Sequence, residues 1–353
     1  MAFTRSSCLQ NPSPWRFNVQ RAAVLVCFAL MVALGAGTIT VAAQPTGPGS
    51  SMDAASEWLL AQRDSDGAFP GFDGTADAGV TVDAVTALAL AGRASELAPT
   101  LTWLESEALV YAQTGPGTAA KLAMMLIIAG ENPRDFASVD PLSIVEHAAE
   151  QGMIGFGPFD HALGLLALTA GGSAIPEAAL AAVWDTQGEE GGWAFDGNTA
   201  AGAADTNTTA LMVRALVAAG HGGDERVAEA AAWLLSLVTA DGMPYQPGGP
   251  ADSNSTALAL RALAAYGAAS PMAELDVLLE ALMAFQNDNG SYSWMLDPRD
   301  ENMFSTVEAI PALAVMAPVL AVPTAMPDAP PASPVASPVA SPEASPVAWQ
   351  LAA

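Results

Sequence analysis

Two stretches of the chain share one pattern, in which a cluster of oxygen-bearing side chains is followed by an apolar run and a glycine. They extend from Ala204 to Gly220 and from Ala251 to Gly267. Asp205 and Asp252 can accept the free N–H groups of a first helical turn, alanine and leucine favour helix, and the final glycine can adopt the left-handed conformation. Each stretch therefore predicts a complete helix. Because its body is apolar on most sides, the helix should be covered on most sides.

The same pattern recurs along the chain, which predicts a repeat protein. Residues 77–92 keep the aspartate, a threonine and the glycine. Residues 118–130 and 159–172 keep the apolar body and the glycine. His161 occupies the threonine position in the second of these, where it could cap the helix or face the lumen. Residues 303–317 keep Thr306. The six copies are spaced by roughly 38–50 residues, as in helical-hairpin repeats.

A second helix and a turn precede most of these apolar helices. The turn contains a glycine followed by an aromatic residue, as in Gln187, Gly191 and Trp193. We expect the glycine to reverse the chain, the aromatic ring to fill the seam between hairpins, and the glutamine to bond the turn's backbone. The turns are Gln62–Phe69, Gln151–Phe156, Gln187–Trp193, Asp241–Tyr245 and Gln286–Tyr292.

Six hairpins in about 270 residues, with first and last copies resembling the middle ones, favour a closed ring, because open solenoids need polar capping repeats. The predicted fold is all-α: a closed α/α toroid (an α6/α6 barrel) over residues 53–322. Six inner helices would run parallel, and six outer helices antiparallel to them. All inner N-termini, with Asp77 among them, would then meet at one mouth of the ring.

The two ends of the chain have different compositions from the array. Residues 1–43 carry three arginines, no acid and an apolar run from Ala22 to Thr38, which predicts a secretory signal peptide, with an uncleaved membrane anchor as the alternative. Residues 44–52 read as a lead-in linker. Residues 323–353 repeat Ala-Ser-Pro-Val-like units and are expected to be a disordered tail, a spacer or a docking motif.

Charge and cysteine content narrow the function classes. Without residues 1–43 the chain has eight basic and 37 acidic residues, a net charge of −29. Such a chain repels nucleic acid and anionic membranes, so we expect neither as a partner. The signal peptide predicts a secreted or extracytoplasmic location, with no stable membrane insertion after signal cleavage. Cys8 and Cys27 both lie in the signal, so the mature chain is expected to have no disulfide and no thiolate metal site.

The Gln–Gly–aromatic turns at Gln62, Gln187 and Gln286 resemble the QW repeat of squalene–hopene cyclases and protein prenyltransferase β-subunits. The resemblance implies the toroid fold over residues 53–320. The cyclase acid motif, Asp-x-Asp-Asp-Thr-Ala, falls on residues 205–210 and 252–257, with Asn207 and Asn254 in place of the middle aspartate. An amide cannot donate the proton that starts cyclisation, so no catalytic residue is assigned.

Two further resemblances bear on ligands. Protein prenyltransferases bind zinc through Asp, Cys and His, and the mature chain has no cysteine, so no metal or cofactor is assigned. The inner helices also look like those in secreted bacterial relatives of transcobalamin-type carriers, which implies a cobalamin-like ligand as one alternative. We expect the proline-rich tail, and not a β-domain of the carrier type, after the ring.

The candidate ligand site is the mouth of the ring. Asp205, Asn207, Asp252 and Asn254 would form its polar side, with Arg214 and Arg261 deeper in and Trp193 as a flat wall. The alternatives are that the four polar residues only cap helices, that the arginines pair with outer-helix acids, and that Trp193 fills a seam. The function hypotheses are a non-catalytic binder of a small, partly apolar ligand, a cyclase-type enzyme with a non-standard acid, and a structural or protein-interaction ring.

Overall fold

The computed structural model describes residues 47–267 and 273–317, which contain twelve α-helices and a two-stranded sheet. The predicted signal peptide and tail lie outside these residues. The helices are α1 (Pro48–Ala61), α2 (Ala78–Leu90), α3 (Ala98–Gln113), α4 (Pro116–Ala129), α5 (Pro141–Glu150), α6 (Pro158–Ala170), α7 (Glu177–Asp185), α8 (Thr206–Ala218), α9 (Glu225–Ser236), α10 (Ser253–Tyr266), α11 (Ala273–Ala284) and α12 (Met303–Met316). The strands are β1 (Met243–Pro244) and β2 (Ala251–Asp252), which pair antiparallel. Helix α1 begins within the stretch expected to be a linker.

The six even-numbered helices form the inner ring and the six odd-numbered helices form the outer one. Each inner helix packs against the next, and α12 packs against α2, so the ring closes. The first outer helix, α1, also packs against the last inner helix, α12. The predicted all-α toroid of six hairpins is therefore confirmed. Among the described residues, no helix combines the length and the apolar character needed to cross a membrane.

Gln187 and Gln286 bond the backbone of their turns, as predicted, and each also joins a neighbouring hairpin, whereas Gln62 donates to the carbonyl of Trp58 within its own helix. Gln187 donates from Nε2 to the carbonyls of Gly191, at 2.7 Å, and Arg226, at 2.9 Å. Gln286 makes the same pair of bonds to Gly290, at 3.1 Å, and to Ser51 of α1, at 2.8 Å. The seam between the last and the first repeat therefore uses the same contacts as an internal seam.

A hydrogen bond from each turn to the following inner helix fixes the buried residue of the turn. The fourth residue of the helix is a threonine in four repeats, and its hydroxyl accepts the N–H of the buried turn residue at 2.9–3.0 Å. The pairs are Thr81 with Phe69, Thr209 with Trp193, Thr256 with Met243, and Thr306 with Tyr292. This bond sets the depth at which each turn residue enters the core.

His161 fills the threonine position of α6. Its Nδ1 accepts the N–H of Ile154 at 3.0 Å, and its Nε2 lies 2.9 Å from the carbonyl oxygen of Ala179. A carbonyl cannot donate, so Nε2 carries the proton and the ring is neutral. Burial lowers the pKa of His161 to about 4, against the opposing effect of the bond to Ala179. The histidine is fully buried and joins the preceding turn to outer helix α7, so it neither caps its helix nor lines the lumen.

Two details of the predicted pattern are wrong. Tyr245 and Phe156, expected to fill seams, are exposed, and Met243 and Ile154 take their places in the core. The threonine or histidine bond selects the residue two positions earlier, so the aromatic ring is left outside. Gly267, expected in the left-handed conformation, has φ −83°.

Candidate functional site

Asp205 and Asp252, at the mouth of the ring, both cap inner helices. Oδ1 of Asp205 accepts the N–H of Thr208, and Oδ2 accepts the N–H of Phe195, both at 2.8 Å. Oδ1 of Asp252 accepts the N–H of Ser255, and its Oδ2 accepts the Ser255 hydroxyl, both at 2.8 Å. Burial raises the pKa of both aspartates, and the hydrogen bonds that they accept oppose it. Every oxygen of the two carboxylates is thus already bonded within the chain.

Five large aromatic side chains are exposed in the turns that lead into the inner helices. Their exposed fractions range from 43% to 89%. They are Phe72, Phe156, Phe195, Tyr245 and Trp294. Each follows the buried residue of its turn by two or three positions, so all five lie at the N-terminal mouth. Phe72 stacks on Phe304, with ring centroids 3.8 Å apart, and Phe195 lies 5.9 Å from Phe159.

Backbone hydrogen bonds from the rim fix three of these aromatic residues. The N–H of Thr206, the first residue of α8, donates to the carbonyl of Tyr245 at 2.9 Å. The N–H of Ser253, the first residue of α10, donates to the carbonyl of Trp294 at 3.0 Å. Phe195 is held through its own N–H by Asp205. The rim polar groups therefore position the aromatic residues.

Two clefts lie between these three aromatic residues. The first has a volume of about 360 Å³ and is lined by Phe195, Tyr245 and Asp205. The second, of about 310 Å³, is lined by Tyr245, Trp294 and Asp252. Both volumes are at the lower end of the range for small-molecule pockets, roughly 300–1,000 Å³. Tyr245 is shared by both.

The two asparagines are the second residues of their helices and differ in their contacts. Oδ1 of Asn254 accepts the hydroxyl of Ser305 on α12 at 3.0 Å, which links two inner helices. Oδ1 of Asn207 is buried and has no hydrogen-bond partner among the described residues. Neither asparagine lines the two clefts.

Trp193 does not form a wall of the site. Its side chain is fully buried, and its indole N–H donates to the carbonyl of Val183 at 3.0 Å. It fills the seam between hairpins, which was the alternative interpretation from the sequence.

The lumen of the ring is a separate, small cavity of about 100 Å³. It is lined at the sixth and ninth positions of the inner helices, and this equal register means that the helices run parallel. Residues at the sixth position are Asp83, Lys121, Leu163, Leu211, Leu258 and Glu308; those at the ninth are Thr86, Met124, Arg214, Arg261 and Pro311. By the helical rise these two layers lie about 6 Å and 10 Å below the second residues.

Arg214 and Arg261 both line the lumen. Nη1 of Arg261 lies 3.4 Å from Oε2 of Glu308, which belongs to an inner helix. Burial, and then the positive charge of Arg261, lowers the pKa of Arg214, while Glu308 opposes that effect.

A second ion pair lies higher in the lumen. Nζ of Lys121 is 2.7 Å from Oδ2 of Asp83. Burial, the largest single effect, lowers the pKa of Lys121, but the charge and hydrogen bond of Asp83 together with Tyr111 and Glu308 outweigh it, and the net shift is upward. Burial also raises the pKa of Glu308, against Arg261. Five inner helices thus contribute charged groups to one cavity.

Sequence reasoning missed Asp83, Lys121 and Glu308 as lumen residues. Each occupies the sixth position of its helix, as Leu211 and Leu258 do in the two best-matching copies. An alignment of all six copies by that position would have shown three charges inside otherwise apolar helices. Within the described residues, no group of three His, Cys, Asp or Glu side chains could hold a metal ion.

Comparison with known proteins identifies the fold. A type II terpene cyclase from Scytonema superposes with a TM-score of 0.52 at 18% identity, covering 76% of this chain and 97% of that one. Candida albicans protein geranylgeranyltransferase-I gives a TM-score of 0.51 at 10% identity, covering 74% and 90%. The fold is that of the terpene cyclase and prenyltransferase toroids.

The same ring also occurs outside that group. An unsaturated glucuronyl hydrolase specific for heparin gives a TM-score of 0.57 at 12% identity, covering 76% of this chain and 97% of that one. No protein-family model matches the sequence, and comparison with curated protein sequences gives no significant match. At these identities the likeness establishes the fold and carries no activity to this chain.

Proposed function

We propose that this chain is an exported, non-catalytic binding protein for a small, partly apolar ligand, which it holds at the aromatic mouth of the toroid. The observation that carries the proposal is the set of five exposed aromatic residues around one opening. Contiguous exposed apolar groups mark interaction sites on soluble proteins. The rings offer flat apolar faces, and the clefts between them end on a few polar groups, as in small-molecule sites.

The mouth is favoured over the lumen by size. The lumen, at about 100 Å³, is well below the roughly 300–1,000 Å³ of pockets for small molecules. The filled lumen also favours the structural-ring alternative over any function that needs an open channel. A cobalamin-like ligand would need to rest on the mouth, because the lumen cannot contain it.

A binding role is favoured over the cyclase alternative by the hydrogen bonds of the aspartates. The carboxylate of Asp205 holds its helix end and the turn at Phe195, and that of Asp252 accepts both the N–H and the hydroxyl of Ser255. A general acid needs an oxygen directed at its substrate. Incubation with squalene or geranylgeranyl diphosphate should give no cyclic product. Turnover that disappears in Asp205→Ala would establish the enzyme instead.

The binding test uses N-phenyl-1-naphthylamine, a neutral apolar dye that fluoresces when it leaves water. We expect the full chain to bind it, and the double variant Tyr245→Ala, Trp294→Ala to bind it at least about tenfold more weakly, from the loss of roughly 1.5–3 kcal/mol per buried aromatic contact. Val110→Ala is the control, because Val110 is 69% exposed on an outer helix and lines neither of the two clefts.

The proposal is wrong if the chain does not bind the dye, or if the Val110 variant weakens binding as much as the mouth variant. Native mass spectrometry of protein purified from its own host then identifies a natural ligand as added mass. Loss of that mass in the mouth variant alone would place the ligand at the mouth.

A further inference from the structure

Carboxylates lie beside the exposed aromatic residues of the mouth. The bond from the N–H of Phe195 to its aspartate, described above, has two counterparts. The N–H of Trp294 donates to Oδ1 of Asp300 at 2.8 Å, and the N–H of Phe156 donates to Oδ2 of Asp160 at 3.0 Å. In three of the five turns, a hydrogen bond therefore holds a carboxylate at the backbone of an exposed aromatic residue.

The two clefts of the mouth are negatively charged. Burial, and then the negative charges of Asp205 and Asp196, raises the pKa of the Tyr245 phenol. Asp196 is exposed and lines the first cleft together with Asp205, and Asp252 lines the second. Among the described residues, neither cleft is lined by a lysine or an arginine. Each cleft thus combines aromatic side chains with charge of one sign.

The basic residue closest in sequence to these aromatic residues is Arg299. Its guanidinium group donates to the carbonyls of Ala284, at 2.6 Å, and Gln286, at 3.3 Å, at the end of outer helix α11. It lines neither cleft. The chain as a whole, with a formal charge of −26, has no surplus of positive charge to offset these carboxylates.

Aromatic faces and carboxylates attract the same kind of guest. A ring attracts a cation to its face, and a nearby carboxylate adds a Coulomb attraction. The carboxylate oxygens of Asp205, Asp252 and Asp300 already accept hydrogen bonds within the chain, so they offer a guest charge rather than acceptor positions. A quaternary ammonium group matches this arrangement, because it carries a charge, has no N–H to donate and presents only alkyl groups to the rings.

We propose that the ligand of the mouth is an organic cation with a quaternary ammonium group, held in the first cleft against Tyr245 and Phe195 and beside the carboxylates of Asp196 and Asp205. This inference rests on the proposed function, since it names the chemical class of the ligand at the same site.

The test is isothermal titration calorimetry of the full chain with choline and with two analogues. In 3,3-dimethylbutan-1-ol a carbon atom replaces the charged nitrogen, and the shape is kept. We expect choline to bind at least about tenfold more tightly than this alcohol, because the alcohol lacks the cation–π and Coulomb attraction. Ethanolamine, a primary ammonium, should bind several-fold more weakly than choline, because it loses hydrogen bonds to water without gaining new acceptors.

A matched pair of variants isolates the charge of the cleft. Asp196→Asn should weaken choline several-fold more than it weakens the neutral dye N-phenyl-1-naphthylamine, which carries no charge for Asp196 to attract. Asp135→Asn removes the same charge from an exposed position in the loop after inner helix α4, on the face opposite the mouth, and should leave both affinities unchanged. Retained dye binding shows that the Asp196 variant is folded.

The inference is overturned if the alcohol or ethanolamine binds as tightly as choline, or if Asp135→Asn and Asp196→Asn weaken choline equally. Dye binding that depends on Tyr245 and Trp294 would then leave the proposed function standing, with only the charge of the ligand wrong. If neither the dye nor choline binds, both the inference and the proposed function are wrong.

Discussion

Closure of the ring can be tested by substituting one glycine, Gly290, in the turn of the last repeat. Its φ is +93°, and a Cβ placed there would collide with the backbone carbonyl of Ala54 in α1. Gly290→Ala should therefore have two costs. The left-handed conformation costs a non-glycine residue about 1–2 kcal/mol, and overpacking against a rigid backbone adds about 1–3 kcal/mol. The expected loss is about 2–5 kcal/mol.

Two matched variants separate these costs. Gly202 also has a positive φ, +78°, but nothing lies within 4 Å of its added Cβ, so Gly202→Ala should lose only about 1–2 kcal/mol. Gly67, in the turn of the first repeat, would collide with the carbonyl of Pro99 in α3, so Gly67→Ala should match Gly290→Ala. The seam at Gly67 is internal, and the seam at Gly290 exists only if the ring closes.

The assay is urea-induced unfolding followed by circular dichroism at 222 nm, with the free energy of unfolding obtained by linear extrapolation. In a closed ring the losses for Gly290→Ala and Gly67→Ala agree and exceed the loss for Gly202→Ala. In an open arrangement Gly290 would have no neighbour across the seam. Its loss would then equal that of Gly202→Ala, and this result would refute closure.

Three further outcomes are expected. The folded pKa of His161, about 4, lies below its unfolded value of about 6.5, so the unfolded chain binds more protons between these values, and the protein loses up to about 3 kcal/mol of stability as the pH falls from about 6.5 to about 4. His161→Thr should flatten this part of the stability profile, and an unchanged profile would contradict the assignment. Thr209→Val should cost about 1–3 kcal/mol in urea unfolding, because the buried N–H of Trp193 loses its acceptor while the side-chain shape is kept; exposed Thr199→Val is the control, expected to change little. Asp252→Ala should cost at least about 1 kcal/mol of unfolding free energy through loss of its cap, and a neutral result would mean that Ser255 caps the helix without it.

The fold could be predicted because each repeat carries the same sequence pattern, and each copy predicts the same helical hairpin independently. The polar start, the apolar body and the final glycine gave the inner helices to within a few residues, since capping and burial act locally. Closure followed from the likeness of the end repeats to the others. Gly267 was mispredicted because the chain leaves that helix without the left-handed turn that the other copies use.

The site was harder to predict because two residues of each turn compete for the core. Trp193 and Phe195 are separated by one position, as are Met243 and Tyr245. Which one is buried depends on the hydrogen bond to the fourth residue of the inner helix, and not on the size or hydrophobicity of the side chain. Tyr245 is therefore outside while the smaller Met243 is inside. The lumen charges were missed because each pairs with a residue far away in sequence, as Lys121 does with Asp83.

The antiparallel hairpins also determine which face of the ring is left accessible when the protein is attached to a surface or a fusion partner. Each outer helix ends at the mouth, so α1 begins, and α12 ends, on the opposite face of the ring. Pro48 and Met316 are thus both directed away from the aromatic clefts. A fusion partner or a sensor surface attached beyond either residue would present the mouth to solution, with every copy in the same orientation.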